Sequence, residues 1–468
     1  MKADFLDYIK KEFAFDAWQM QAFETCLIAP LKKSLRVNTR KISVEEFEHL
    51  TKAKEWSLTK TGYGKNTFYI DRTQDLDTAL WNTYEHLAGY FYVQEVAASM
   101  SPYYLSNDKV DNENHIILDM SASPGGKSTQ LAEYFPNSLI VANEIDKTRL
   151  KALEENIDRM WATNIIVTNY DGRHFKNTPE AFDKILLDAP CSGEGTSFKT
   201  DEALKFWNIK NIETIARLQL QLLEAAWYAL RVGWEMVYST CTLNKLENEG
   251  VIETFLEKYW KHFELVPLSE NTYKRNWPHI EKTGGFFVAK IRKISTIIQQ
   301  ESPVKTDDHE HSFERRKKKN VQDEFVRQNI EKLQNKQEKL IEDFLEKYFW
   351  YTQRSYFFKY KDAIYMTHKS LSTVWEKFFF YKTWVEVWTL KWGAFEPNFF
   401  FGTLQIFWKW TLELSEEHAR KLFSWYEIET EQKDGFYQAI VNKKIPIWIC
   451  KIKWGKMKSL IPTKLIRK

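Results

Sequence analysis

The chain has 468 residues, too many for one hydrophobic core, and its length suggests about three domains. Hydrophobic residues at 43% and charged residues at 28% exclude a disordered chain, and no apolar run reaches the roughly 18 residues that span a bilayer. The net charge of +3 is too small to argue for a nucleic-acid partner, but from Lys443 onward the chain carries nine basic residues and no acidic one.

In chain order, residues 1–90 mix helical periodicity (Phe5, Leu6, Ile9, Phe13) with short β-like pieces such as Ser34–Thr39, and are expected to form an N-terminal lobe. Residues 91–295 follow a strand, loop, helix rhythm. Short apolar runs end near Asp119, Glu144, Thr168, Asp188 and Tyr238, with amphipathic stretches at about 127–135, 147–160 and 209–231 between them. Such alternation predicts an α/β domain built on a parallel sheet with right-handed crossovers. Residues 296–345 are rich in Gln, Lys and Glu and contain the run Arg315–Lys319. They read as a linker passing into a charged helix at about 320–348. Residues 346–468 are aromatic and β-like, and are expected to form a separate small domain.

Ligands of a doubly wound sheet sit beyond the carboxyl ends of its strands. After the first strand lies Ser121-Ala122-Ser123-Pro124-Gly125-Gly126-Lys127-Ser128, whose paired glycines let backbone N–H groups approach a ligand at a helix N-terminus. Ser121 stands where a phosphate loop of the GxxxxGK[ST] type needs glycine, so a P-loop NTPase is the weaker reading. Glu144 ends the second strand, where a carboxylate can accept both hydroxyls of a ribose, and Asp171 follows the third, within reach of an adenine amino group. Together they point to a nucleoside cofactor. The fourth and fifth strands lead into Asp188-Ala189-Pro190-Cys191-Ser192-Gly193-Glu194-Gly195 and Ser239-Thr240-Cys241-Thr242-Leu243-Asn244. A lone cysteine is most often a small buried hydrophobe, but two in polar loops at one sheet edge are hard to explain by packing. The four cysteines (Cys26, Cys191, Cys241, Cys450) have no CxxC spacing, so neither a disulfide framework nor a metal is expected. Met1–Phe5 lacks the pattern of a secretory signal, and a reducing, cytoplasmic compartment is expected.

Those two cysteine loops resemble the signature loops of the NOL/NOP/Sun family of RNA 5-methylcytosine methyltransferases, in order and in spacing. The resemblance extends to Arg36-Val37-Asn38-Thr39, Tyr92-Val93-Gln94-Glu95, Trp277-Pro278-His279 and Gly285-Phe286-Phe287-Val288. It is nearest to the branch that acts on bacterial small-subunit (16S) rRNA. The resemblance implies a Rossmann-like domain binding S-adenosyl-L-methionine through Ser121, Ala122, Ser123, Pro124, Gly125, Gly126, Lys127, Glu144, Asp171 and Asp188. It also implies an N-terminal α+β RNA-binding lobe and a C-terminal PUA-like, β-rich RNA-binding domain. Cys241 would be the nucleophile that adds to C6 of cytosine, Cys191 would help remove the C5 proton and release the enzyme, and Asp188 would read the N3/N4 edge of the base. The expected partner is RNA, 16S rRNA or the small ribosomal subunit first and tRNA second. The chain is expected to be a monomer, with no membrane and no metal. A non-catalytic RNA-binding protein is a further alternative, though every chemical motif is intact.

Tryptophan usage is unusual: 19 Trp stand against 16 Gly, and residues 350–468 hold ten Trp and four Gly. Trp161 follows a helix where a positive φ is common, and Trp234 follows Gly233 before the fifth strand, where relatives turn on two glycines. The expectation is that some of these codons specify glycine in the source organism.

Overall fold

A computed structural model describes residues 3–73, 79–198, 202–205, 207–268 and 270–296. Beyond these it describes 330–331, 333, 335–348, 356–360, 363–367, 385–391, 394–398, 408–424, 426–441 and 445–460. Met1–Thr296 form one compact unit and Ile297–Lys468 a second. The Arg315–Lys319 run and the first part of the expected linker helix lie outside the described residues.

The first unit opens with helices α1 (Ala3–Phe13) and α2 (Ala17–Ile28). Asp16 starts α2 with a capping box: its side chain accepts from Gln19 N, and Gln19 reaches back to Asp16 N. Next come β1 (Ser34–Val37), α3 (Val44–Lys52), β2 (Ser57–Lys60), β3 (Thr67–Asp71), α4 (Tyr84–Leu87) and β4 (Phe91–Val93). The four strands form an antiparallel sheet in the order β2-β3-β1-β4.

The second sheet contains β5 (Ile116–Asp119), β6 (Leu139–Asn143), β7 (Ile165–Thr168), β8 (Phe182–Asp188) and β9 (Leu230–Thr240). Their connections hold α5 (Met100–Ser106, before β5), α6 (Gly126–Tyr134), α7 (Lys147–Met160), α8 (Glu202–Lys205) and α9 (Ile209–Ala229). After them run α10 (Glu249–Tyr259), β10 (Phe263–Val266), β11 (Tyr273–Asn276), α11 (Pro278–Glu281) and β12 (Phe286–Lys293). The order is β10-β12-β9-β8-β5-β6-β7, with β11 also on β12. From β7 to β9 every pairing is parallel, and β12 continues the sheet antiparallel to β9, with β10 and β11 antiparallel to β12. The expected parallel α/β sheet is therefore present. Strand order reverses between β5 and β8, so right-handed crossovers put α6 and α7 on one face and α9 on the other. Central strands are apolar because both faces are covered: all of β6 and β7 is buried.

The fifth strand starts earlier than the apolar run at 235–238 predicts. Phe182 pairs with Leu230 but Lys184 with Glu235, so β9 bulges between them, and Gly233 takes φ +86° there. Trp161 caps α7 in the left-handed region, φ 55° and ψ 45°.

In the second unit, strands 330–331, 356–360, 363–367, 385–391 and 394–397 form one antiparallel sheet in chain order. Strands 411–414, 428–429, 435–441, 445–453 and 456–459 form another, in which 411–414 runs parallel to 435–441. Among the described residues no helix is long and apolar enough to cross a membrane, and no group of three or more His, Cys, Asp or Glu is placed to hold a metal.

Candidate active site

The carboxyl ends of β5, β6, β7, β8 and β9 carry the residues singled out from sequence. The loop after β5 is shaped by its glycines. Gly125 takes φ +103°, and a Cβ on Gly126 would stand 3.2 Å from the Tyr92 ring. No side chain caps α6, so its first N–H groups face the loop. The loop is tied down from outside: Ser123 Oγ donates to Arg149 O at 2.8 Å, Arg149 donates to Ser123 O at 2.8 Å, and Asn156 donates to Pro124 O at 2.9 Å.

Two carboxylate oxygens are left over. Glu144 is buried, and its Oε1 accepts from Asp146 N at 2.9 Å. Its Oε2 accepts no hydrogen bond among the described residues and has Arg149 at 3.4 Å. Asp119 is fully buried; its Oδ2 accepts from Ser128 Oγ at 2.6 Å while Oδ1 has no hydrogen-bond partner among the described residues. Burial first, and then the charge of Asp188, push the Asp119 carboxyl up to about 7. Asp171 is engaged differently: it caps the 3₁₀ turn at Gly172–Asn177 and pairs with Arg173 at 2.6 Å.

Asp188 ends β8. Its Oδ2 takes the Lys127 ammonium at 2.8 Å, and its Oδ1 accepts from Ser239 Oγ at 2.8 Å. Ser239 in turn accepts from Ser101 at 2.8 Å. Burial alone would lower the pKa of Lys127, but the charge of Asp188, with a further contribution from Cys241, outweighs it and holds the ammonium above its ordinary range. Lys127 is thus a partner of the β8 acid, a position its sequence context leaves open.

Cys191 and Cys241 meet here. Their sulfurs lie 3.3 Å apart across loops separated by 50 residues, and both side chains are half-buried. The hydrogen bond with Cys241, then burial, raise the Cys191 thiol well above its usual pKa. The two loops are stitched together. Gly195 N donates to Cys241 O at 3.0 Å, and Ser192 and Thr242 share a hydroxyl hydrogen bond of 2.7 Å. Gly285 N donates to Gly195 O at 3.0 Å, and the backbones approach so closely that a Cβ on Gly195 would stand 2.3 Å from Gly285 O.

Two buried carboxylates missed in the sequence hold these loops. Glu194 accepts from Thr242 Oγ1, Leu243 N and Asn244 N at 2.7, 2.9 and 3.0 Å, and from Trp207 Nε1 and Asn244 Nδ2 at 2.5 and 2.9 Å. Glu247 accepts from Ser192 N at 2.9 Å, and from Gln219 and Asn244 at 2.8 Å each. Burial raises the Glu247 carboxyl above its ordinary pKa even so. Their only sequence signal is an acid inside an otherwise small or polar loop. Arg36 of β1 is also buried. It donates to Gln94 at 3.0 Å and Thr129 at 2.8 Å and pairs with Glu133, which ties the first sheet to α6.

Residues 108–292 match the model of the 16S rRNA methyltransferase RsmB/F family, and residues 1–96 match that of the N-terminal domain of 16S rRNA methyltransferase RsmF. The chain is 41% identical over 298 residues to a ribosomal RNA small subunit methyltransferase F of Vibrio cholerae serotype O1, covering 60% of this chain and 62% of that one. It therefore spans less than two thirds of the length of these curated relatives. A methyltransferase homolog protein from Pyrococcus horikoshii is similar at 29% identity and TM-score 0.53, over 63% of this chain and 100% of that chain. The crystal structure of NSun6 from Pyrococcus horikoshii with SFG is similar at 25% identity and TM-score 0.55, over 63% and 99%.

Proposed function

We propose that this chain, whose residues 108–292 match the 16S rRNA methyltransferase RsmB/F model and residues 1–96 that of the RsmF N-terminal domain, methylates C5 of cytosine in 16S rRNA with S-adenosyl-L-methionine. One observation carries the reading: two thiols 3.3 Å apart beside the Lys127–Asp188 ion pair.

The residues fit the cofactor. The uncapped start of α6 and the Gly125-Gly126 turn offer N–H groups to its amino-acid end, and Glu144 Oε2, which accepts no hydrogen bond among the described residues and has only the Arg149 ion pair at 3.4 Å, suits a ribose hydroxyl. Asp171 reaches an adenine amino group only after Arg173 releases it. The similar structure with SFG, a SAM analogue, supports the same cofactor. When bound, S-adenosylmethionine supplies an electrophilic methyl group.

Cytosine C5 is a poor nucleophile within its aromatic ring. The Cys241 thiolate would bond to C6, the C5–C6 double bond would open, and its electron pair would take the methyl group at C5, the pair of the broken methyl–sulfur bond staying on the departing thioether. The C5 proton then passes to a base, the double bond re-forms, and the C6–S bond breaks to return Cys241 as thiolate. Cys191 is the base in this reading. Its raised pKa depends first on Cys241, so forming the C6–S bond removes that influence and lets Cys191 ionise more readily. In this reading Asp188, which pairs with Lys127 and accepts from Ser239, would read the N3/N4 edge of the base. A flipped base costs a few kcal/mol, which contacts from the flanking regions offset. These are the lobe at 1–90, the linker at 296–345 and the basic region at 346–468, read as a PUA-like RNA-binding domain. The enzyme is taken to act as a cytoplasmic monomer on the small ribosomal subunit.

The test is methyl transfer by the purified chain to 16S rRNA and to tRNA, with bisulfite sequencing of both RNAs from a deletion strain. A 5-methylcytosine lost from 16S rRNA supports the proposal. A loss confined to tRNA replaces the substrate, and no methylation of either overturns the activity.

A further inference from the structure

The Cys241 loop is held from two sides by groups that touch no reacting atom. Thr242, Leu243 and Asn244 immediately follow the nucleophile, and all three donate to one oxygen of Glu194. The other oxygen of that carboxylate takes the Trp207 indole N–H, and the Trp207 ring packs on α1, 5.7 Å from Phe5 and 5.6 Å from Tyr8. Helix α1 also reaches the loop directly. Lys245 N donates to Tyr8 Oη at 3.2 Å, and the Lys245 ammonium bonds Glu12 O at 3.1 Å and its carboxylate at 3.2 Å. Burial pushes the Tyr8 phenol up to about 12, so it stays a neutral acceptor. Leu243 itself is fully buried in the cluster formed by Phe5, Ile9, Met20, Phe23 and Leu27 of α1 and α2.

Backbone N–H groups in a loop have no ladder to satisfy them, and a buried carboxylate that accepts several at once fixes their geometry strongly. We propose that Glu194 is a positioning residue for the Cys241 nucleophile and that Tyr8 extends the same clamp into α1, so the N-terminal helix pair sets the reactivity of the catalytic thiol. The proposal rests on the methyltransferase reading for its catalytic consequence. Its geometric content, that the clamp sets the environment of the Cys241 sulfur, does not need RNA.

The experiment uses the full chain with Glu194→Gln and Tyr8→Phe. Glutamine turns an amide donor toward groups that are themselves donors, while phenylalanine removes one acceptor and keeps the ring packing. For each variant three quantities are measured: kcat and KM for 16S rRNA, S-adenosylmethionine affinity, and the pH profile of Cys241 alkylation by iodoacetamide, followed by mass spectrometry. The expected result for Glu194→Gln is a kcat lower by on the order of ten- to a hundredfold, with RNA KM and cofactor affinity near wild type. The Cys241 alkylation profile shifts along pH. Tyr8→Phe gives a smaller loss of kcat, about fivefold, in the same pattern. A wild-type alkylation profile in a Glu194→Gln protein that still binds S-adenosylmethionine overturns the proposal, as does a loss that falls wholly on RNA KM. If Glu194→Gln fails to fold, Tyr8→Phe decides on the same readouts. If the wild-type chain methylates no RNA, the proposed activity fails, and the alkylation profiles alone still decide the positioning claim.

Discussion

The sulfur atoms of Cys191 and Cys241 lie 3.3 Å apart, so one proton can serve both. This makes their removal asymmetric. Cys241→Ala takes away the proposed nucleophile and is expected to abolish methylation and any covalent RNA complex. Cys191→Ala leaves the proposed nucleophile but not the group proposed to take the C5 proton, and is expected to accumulate a covalent enzyme–RNA adduct. A denaturing gel reads both. Methylation by Cys241→Ala, or no shifted band for Cys191→Ala, would contradict the roles assigned.

Glu144 presents a buried oxygen with no hydrogen-bond partner among the described residues. Glu144→Gln halves its capacity to accept from a ribose diol and is expected to weaken S-adenosylmethionine binding at least about tenfold. Titration calorimetry of the wild type should give binding to S-adenosylmethionine and none to ATP, since Ser121 breaks the phosphate-loop pattern. Tight ATP binding would favour the NTPase reading.

Asp119 gives a pH dependence of stability. Its folded carboxyl is raised to about 7 from an ordinary 3.8, chiefly by burial, so the folded state binds more protons than the unfolded chain between these values. Stability from this group is fully present below about 4 and falls as pH rises toward 7. Asp119→Asn, which resembles the protonated acid, should therefore raise Tm relative to wild type at pH 8 and not at pH 4. An equal shift at both pH values would rule out the titration of Asp119 as the cause.

Gly195 lies against the backbone of Gly285, where an added Cβ would stand 2.3 Å from a carbonyl oxygen. The backbone has to move, so Gly195→Ala is expected to cost about 1–3 kcal/mol in denaturant unfolding. It should also lower methylation by parting the two cysteine loops. Wild-type stability together with wild-type activity would show that the loops are looser than this contact implies.

Trp161 has φ 55° at the C-cap of α7, and Trp454 has φ 55° beside Gly455 at φ 70° in the hairpin joining strands 445–453 and 456–459. Two-residue hairpins of this kind favour small residues, and left-handed backbone costs an L-residue roughly 1–2 kcal/mol. Peptides of the protein isolated from its source organism should carry the mass of glycine at 161, at 234 and at 454. Tryptophan masses at these sites would remove the recoding expectation.

Sequence alone singled out the candidate site residues along the chain. Asp119, Glu144, Asp171 and Asp188 were legible as acids at or just beyond strand ends, because central parallel strands are apolar on both faces and an acid breaks the apolar run where the strand ends. The two cysteine loops were legible because their residue types suit nucleophilic chemistry better than packing. What the linear pattern did not contain was which groups meet. The 3.3 Å contact between Cys191 and Cys241, and the pairing of Lys127 with Asp188, arise because β8 and β9 lie side by side and α6 starts opposite them. Glu194 reads in the sequence as one more polar loop residue. Only folding sets it against Leu243 and Asn244, nearly fifty residues away, and brings Tyr8 of α1 to Lys245. Hydrophobic periodicity is local and survives in one dimension. The partner of a buried charge is fixed by loop closure through space, so only the tertiary structure decided how the Cys241 loop is held.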